Sequence, residues 1–232
     1  MFNRIADISQ RQAAIIAGFG LLIMTIFYVF ADFFIFQNLI VPGDAKTTAN
    51  NILANELLFR IGICSFTIVI VLDVVVAWAL YVLLKPVNKS LSLLAAWFRL
   101  VYATIFGIAL ANLFSVLRLL SDADFVTVFE IDQLYAQVML SLNAFSDGWQ
   151  IGYVFFGLHL FVLGYLVFKS GYIPKILGVL LIIAGLGYLI DSYAIFLLPN
   201  YEATIGYVTF IGEVLFMLWL LFKGAKIPEM KS

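Results

Sequence analysis

Charge, cysteine and histidine are scarce in this chain. Of its 232 residues only 12% are charged, one is cysteine and one is histidine. A single cysteine, Cys64, excludes an intramolecular disulfide and a cysteine-rich metal site. It lies in an apolar run and is expected to act as a small buried hydrophobe. The lone histidine, His159, would have to recruit carboxylates to build a zinc site, an uncommon ligand set. A haem held by two histidines would need a second chain. Nothing therefore points to a particular metal or cofactor. The net charge of −1 gives no field to attract nucleic acid, which is excluded as a partner. Ser-His-Asp order, HExxH, P-loop and Gly-x-Ser-x-Gly signatures are all missing, so no catalytic residue is assigned.

What is present is apolar: 64% of positions, with a mean hydropathy of +1.09. A soluble domain has roughly 45–50% apolar residues. This excess cannot be buried in one core, so lipid must solvate much of the surface. A spanning helix needs about 20 mostly apolar residues, and six runs qualify: 13–36, 57–84, 91–120, 150–168, 176–198 and 203–222. The polar start, followed by a run too long for a signal-peptide core, is expected to be retained with the first span. The expected fold is an all-α, six-transmembrane-helix bundle forming one transmembrane domain.

Breakers separate the runs. Pro42-Gly43-Asp44 makes a turn, and Asp44 is placed to cap a short polar helix through Ala49 and Ile52. Pro86 divides the second and third spans, Pro174 the fourth and fifth, and Pro199 the last two. An acidic loop at 121–132 precedes Ile131, Leu134, Val138, Leu142 and Phe145, which recur at helical spacing with polar residues between. That pattern predicts a short extracytoplasmic amphipathic helix, at the membrane surface or running directly into the fourth span.

Basic residues orient the chain. Arg4, Arg11, Lys85, Lys89, Lys169, Lys175, Lys223, Lys226 and Lys231 fall on one side, against Lys46 and Arg118 on the other. The positive-inside rule then places both termini in the cytoplasm, in a multi-pass cell-membrane protein.

Several polar residues lie inside the runs, where a charge costs about 2.5–3.5 kcal/mol at a helix centre. At ~1.5 Å per residue, Asp73, Arg99, His159 and Glu213 all lie roughly 14–16 Å deep on four different helices. Asp73 and Arg99 flank Pro86 symmetrically and must sit at matching depth in an antiparallel pair. Asp191 lies a little farther out, and Asp32, Arg60, Asn112 and Asp147 form a second layer. Arg60 is close enough to the boundary to snorkel. His159 is expected opposite Glu213, where the two could exchange a proton.

Glycines form strips. Gly157 and Gly164, like Gly178 and Gly185, are seven apart and therefore about 20° apart around a helix. Small strips let membrane helices approach closely, and Gly187 extends that surface. His159 and Asp191 point well away from the strips on their helices.

These residues carry a resemblance over about Arg11 to Gly224. The quoted stretches are Val41-Pro42-Gly43-Asp44, Ala49-Asn50-Asn51, Arg60, Asp73, Leu84-Lys85-Pro86-Val87-Asn88-Lys89 and Arg99. The densest are Phe156-Gly157-Leu158-His159, Lys169-Ser170-Gly171-Tyr172-Ile173-Pro174 and Gly185-Leu186-Gly187-Tyr188-Leu189-Ile190-Asp191-Ser192. Gly212-Glu213 and Leu218-Trp219-Leu220-Leu221 complete the set. The chain resembles a bacterial membrane family known as domain of unknown function 4386 (DUF4386). The resemblance implies a multispan fold and implies nothing about chemistry.

The leading expectation is a protein that binds or transports a small solute, ion or lipid through a polar cluster of Asp73, Arg99, His159, Asp191 and Glu213. Arg99 would hold an anionic group and Asp73 would position it. The alternatives are an intramembrane enzyme, acid-base or metal-assisted on a lipid-type substrate, and a structural or assembly subunit. The lipid bilayer is the one certain partner, and the sequence sets no oligomeric state.

Overall fold

A computed structural model describes residues 8–121, 130–198 and 200–227. The acidic loop at 122–129, Pro199, Arg4 and Lys231 lie outside the described residues. Six described helices are long and apolar enough to cross a membrane: α1 Gln10–Leu39, α3 Glu56–Leu84, α4 Lys89–Leu119, α5 Ile131–Lys169, α6 Lys175–Leu197 and α7 Ile205–Lys226. The short helix α2 spans Ala45–Ala54. No strand occurs among the described residues. Leu57, Leu197, Val208 and Phe222 are more than 70% exposed, which only an apolar solvent makes favourable. This is an integral membrane protein.

The helix ends follow from local chemistry. Val41–Asp44 closes a turn through the Asp44 N–H to the Val41 carbonyl, with Gly43 at φ 79° where a side chain would be strained. The Asp44 carboxylate then accepts from the Thr47 N–H (2.9 Å) and Thr47 hydroxyl (2.7 Å), capping α2. Asn88 caps α4 by accepting from the Leu91 N–H at 3.0 Å. The last carbonyls of α3 have no partners within the helix. The Leu83 carbonyl among them accepts from the Tyr172 hydroxyl (2.7 Å) and the Gln10 amide (3.1 Å). Burial at this site raises the Tyr172 hydroxyl pKa above the usual phenol value.

Of the two placements expected for the amphipathic stretch, the structure has the second: it is helical and continues unbroken into the fourth span as one 39-residue helix, with no proline in its way. Near 58 Å long at 1.5 Å per residue, it far exceeds a hydrocarbon core of about 30 Å. In α1, Phe30–Phe36 is π-helical, which brings Gln37 onto Asp32 five residues earlier at 2.9 Å. Cys64 is exposed on α3 rather than buried.

The chain packs as two compact units built from interleaved segments. The first draws on Met1–Leu22, Leu72–Tyr102 and Tyr153–Ser232, the second on Ile23–Val71 and Ala103–Gly152. In the second unit aromatic rings make the core. Phe66 lies 5.1 Å from Phe36, 5.3 Å from Trp149, 5.4 Å from Phe106 and 5.9 Å from Phe145 between ring centres. Contacts at these spacings add about 0.5–1.5 kcal/mol per pair beyond simple burial.

In the first unit close backbone approach does that work. A Cβ on Gly164 would lie 2.6 Å from the Gly178 carbonyl, and one on Gly185 would lie 2.6 Å from the Gly157 carbonyl. The two glycine strips thus face each other between α5 and α6. Gly187 meets Thr209 of α7, and Gly212 of α7 meets the Leu180 carbonyl of α6.

Candidate functional site: a buried charge cluster

The first unit holds several ionisable side chains in its interior. Asp73 of α3, Arg99 of α4 and His159 of α5 are 1%, 2% and 0% exposed. Arg99 Nη2 lies 2.8 Å from Asp73 Oδ1, but the contact is poorly directed, and neither Asp73 oxygen receives an aligned hydrogen bond. It is a close ion pair rather than a bidentate fork.

His159 is fixed from both sides. Its Nε2 lies 3.2 Å from Arg99 Nη1, and its Nδ1 lies 2.8 Å from the Ala95 carbonyl oxygen. Guanidinium nitrogens only donate and a carbonyl only accepts. The ring must therefore carry its proton on Nδ1 and accept on Nε2, which makes it a neutral imidazole. Protonating Nε2 would set cation against cation. The expected proton exchange between His159 and Glu213 is thus corrected: the neighbour of His159 is Arg99, and the ring buttresses the guanidinium.

Glu213 of α7 is intermediate in exposure as a residue, yet its Oε1 is fully buried and accepts no hydrogen bond. Its hydrogen-bond partner is Tyr188 of α6, and both Arg99 and Asp73 lie within electrostatic range. Asp73, Arg99 and His159 therefore meet directly, and Glu213, from a fourth helix, lies within electrostatic range of them.

Aromatic side chains enclose this cluster. The Arg99 guanidinium carbon lies 5.5 Å from the centre of the Phe156 ring, a cation–π contact. Phe156 packs on Tyr102 at 4.9 Å and on Tyr188 at 5.3 Å, and Tyr188 on Tyr153 at 5.2 Å. The sequence reading missed Phe156 and Tyr188. A usable signal was there: each stands three residues before a buried polar residue, His159 and Asp191, on the same helix face.

Asp191 is differently employed. Its carboxylate accepts from the Tyr201 hydroxyl (2.6 Å), the Gly206 N–H (2.6 Å) and the Ile205 N–H (3.3 Å). It satisfies the first amides of α7, the groups a helix start leaves without partners. The hydrogen bond to Asp191 raises the Tyr201 hydroxyl pKa.

The second layer is not gathered into a site. Asp32 is held by Gln37 and Asn112 donates to the Ala109 carbonyl. Asp147 is exposed, and Arg60 pairs with Glu56 one turn away at 2.7 Å, both side chains about half exposed. Among the described residues no three His, Cys, Asp or Glu side chains come together as a metal-ligand group.

Comparison with known proteins adds relatives without chemistry. The sequence model of the family described as "Domain of unknown function (DUF4386)" matches residues 16–224. A protein of Archaeoglobus fulgidus, described as "Uncharacterized protein", is 44% identical over 171 residues, covering 74% of this chain and 88% of its own length. No solved structure matches.

Proposed function

Because the chain belongs to the DUF4386 family, whose description assigns no activity, we propose from the charge balance of the cluster that it binds and carries one proton or small monovalent cation. The cluster sets two carboxylates, Asp73 and Glu213, against one guanidinium, Arg99, with His159 neutral. Ionised throughout, it holds one net negative charge away from water. An uncompensated buried charge is costly, so the site favours one added positive charge. The observation that carries the reading is the pair of carboxylates whose buried oxygens, Asp73 Oδ2 and Glu213 Oε1, accept no hydrogen bond. One added proton, or a cation of equal charge, supplies what they lack.

The position within the spans supports passage across the bilayer. Intramembrane ionisable residues commonly mark ion pathways and proton relays. The basic bias at the helix ends supports a cell-membrane protein with both termini in the cytoplasm. One observation favours a packing role instead: Arg99 reaches side chains on both α3 and α5.

Vesicles containing the purified protein, with trapped pH-sensitive and sodium-sensitive dyes, separate these readings. Under an imposed potential the wild type should pass protons or sodium, Glu213→Gln should not, and Arg60→Gln should match the wild type. Equal flux in wild type and Glu213→Gln, or none in folded wild type, overturns the transport reading.

A further inference from the structure

The described residues at one end of the first unit carry charge of a single sign. Its described segments 9–12, 85–91, 169–175 and 223–227 contain Arg11, Lys85, Lys89, Lys169, Lys175, Lys223 and Lys226, and no Asp or Glu. An open groove of about 360 Å³ lies there between the α5–α6 turn and the end of α7. Tyr172 and Pro174 line one side; Trp219, Lys223, Lys226 and Ile227 line the other. We propose that this groove binds the headgroup of an anionic phospholipid.

The groove has the parts such a ligand needs. Lys223 and Lys226 stand three residues apart at the end of α7, so their ammonium groups can meet one phosphate together. Neither forms an ion pair with any described residue. The Tyr172 hydroxyl donates to the Leu83 carbonyl, so its proton is committed and the lysines are left to hold the anion. The floor is held in place from below, because Arg11 Nε donates to the Ile227 carbonyl at 2.8 Å.

Size and surroundings favour a lipid over a free anion. The volume is near the low end of small-molecule sites, roughly 300–1,000 Å³, and suits a headgroup rather than a whole lipid. From the groove, α7 offers Leu215, Leu218 and Phe222, all exposed, as a track for acyl chains. Tryptophan and tyrosine at this level match the aromatic belts of membrane interfaces.

The full-length protein in mild detergent would be titrated with short-chain phosphatidylglycerol, phosphatidylcholine and inorganic phosphate, and bound ligand counted by native mass spectrometry. Phosphatidylglycerol should bind in preference to phosphatidylcholine, and phosphate should not displace it. Lys223→Gln with Lys226→Gln should weaken phosphatidylglycerol binding roughly 30-fold, the loss expected for two interfacial lysines. Lys85→Gln with Lys89→Gln removes the same charge from the same end outside the groove and should weaken it far less. Circular dichroism of both double variants should match the wild type. Equal losses in the two double variants, equal binding of both lipids, or displacement by phosphate overturns the proposal.

Discussion

The two units treat polar residues in opposite ways. In the aromatic unit the intramembrane residues Asp32, Arg60 and Asn112 are settled within a turn or so of their own helix, by Gln37, Glu56 and the Ala109 carbonyl. In the glycine-packed unit they reach across helices: Arg99 to Asp73 and His159, Asp191 to Tyr201 and Gly206. Among the described residues, the buried side-chain oxygens without a hydrogen-bond partner, on Asp73, Ser192 and Glu213, all lie in this glycine-packed unit. Rings that fill space need no polar compensation, so an aromatic core explains itself as packing. Charges that cost desolvation and leave oxygens unsatisfied do not, and on that contrast we propose the glycine-packed unit as the functional one.

The contrast can be broken at its largest scale first. Phe66→Ala should cost about 3–5 kcal/mol by removing the ring that the others surround. Denaturation in detergent would measure it, with no single partner change able to restore the loss. Arg99→Leu should cost a similar amount, about 3–5 kcal/mol, because it leaves Asp73 buried without its cation. Here rescue is expected: adding Asp73→Leu should recover most of the stability while flux stays lost. A double variant as unstable as Arg99→Leu alone would show that the pair is kept for stability after all.

Glycines sharpen the comparison at a smaller scale. Gly164→Ala should destabilise by about 1–3 kcal/mol, since its Cβ would press on the Gly178 carbonyl. Gly107→Ala, in the aromatic unit, meets only Ile70 Cδ1 at 3.9 Å and should stabilise by about 0.5–1 kcal/mol through helix propensity. Thermal melts of the two variants should therefore move in opposite directions.

The smallest effect is at the Asp44 cap. Hydrogen bonds from Thr47 lower the Asp44 pKa below its ordinary 3.8. A lowered folded pKa means the cap's contribution is fully present above that ordinary value and lost as pH falls through the lowered one. Hydrogen-exchange protection at the start of α2, measured against the intrinsic rate at each pH, should fall on acidification in the wild type, and Asp44→Asn should remove that dependence.

Relative height between neighbouring helices was legible in the sequence, and direction around each helix was not. Run length and breakers give the spans, and counting residues from the Pro86 turn puts Asp73 level with Arg99, as the 2.8 Å contact has them. The same count puts His159 level with both Glu213 and Arg99, and depth alone cannot choose between them. The choice depends on helix neighbours, which no local pattern encodes. The glycine strips were easier, because seven-residue spacing fixes a direction by itself, and the strips of α5 and α6 meet. Asp191 misled for another reason. A carboxylate deep in an apolar run looks like a site, while the amides it caps start a helix fourteen residues later. The π-helical Phe30–Phe36 left no trace in composition, since its aromatic residues suit an ordinary helix equally well.

The central claim is that the Asp73–Arg99–Glu213 cluster holds one added positive charge. Infrared spectroscopy of the protein in sodium-free choline buffer near neutral pH tests it most directly, because a proton is then the only small cation at hand. The account predicts a protonated-carboxyl band that is present in the wild type, persists in Asp147→Asn and disappears in Glu213→Gln or Asp73→Asn. A folded wild-type protein with no such band, or a band unchanged by both cluster variants, would contradict it.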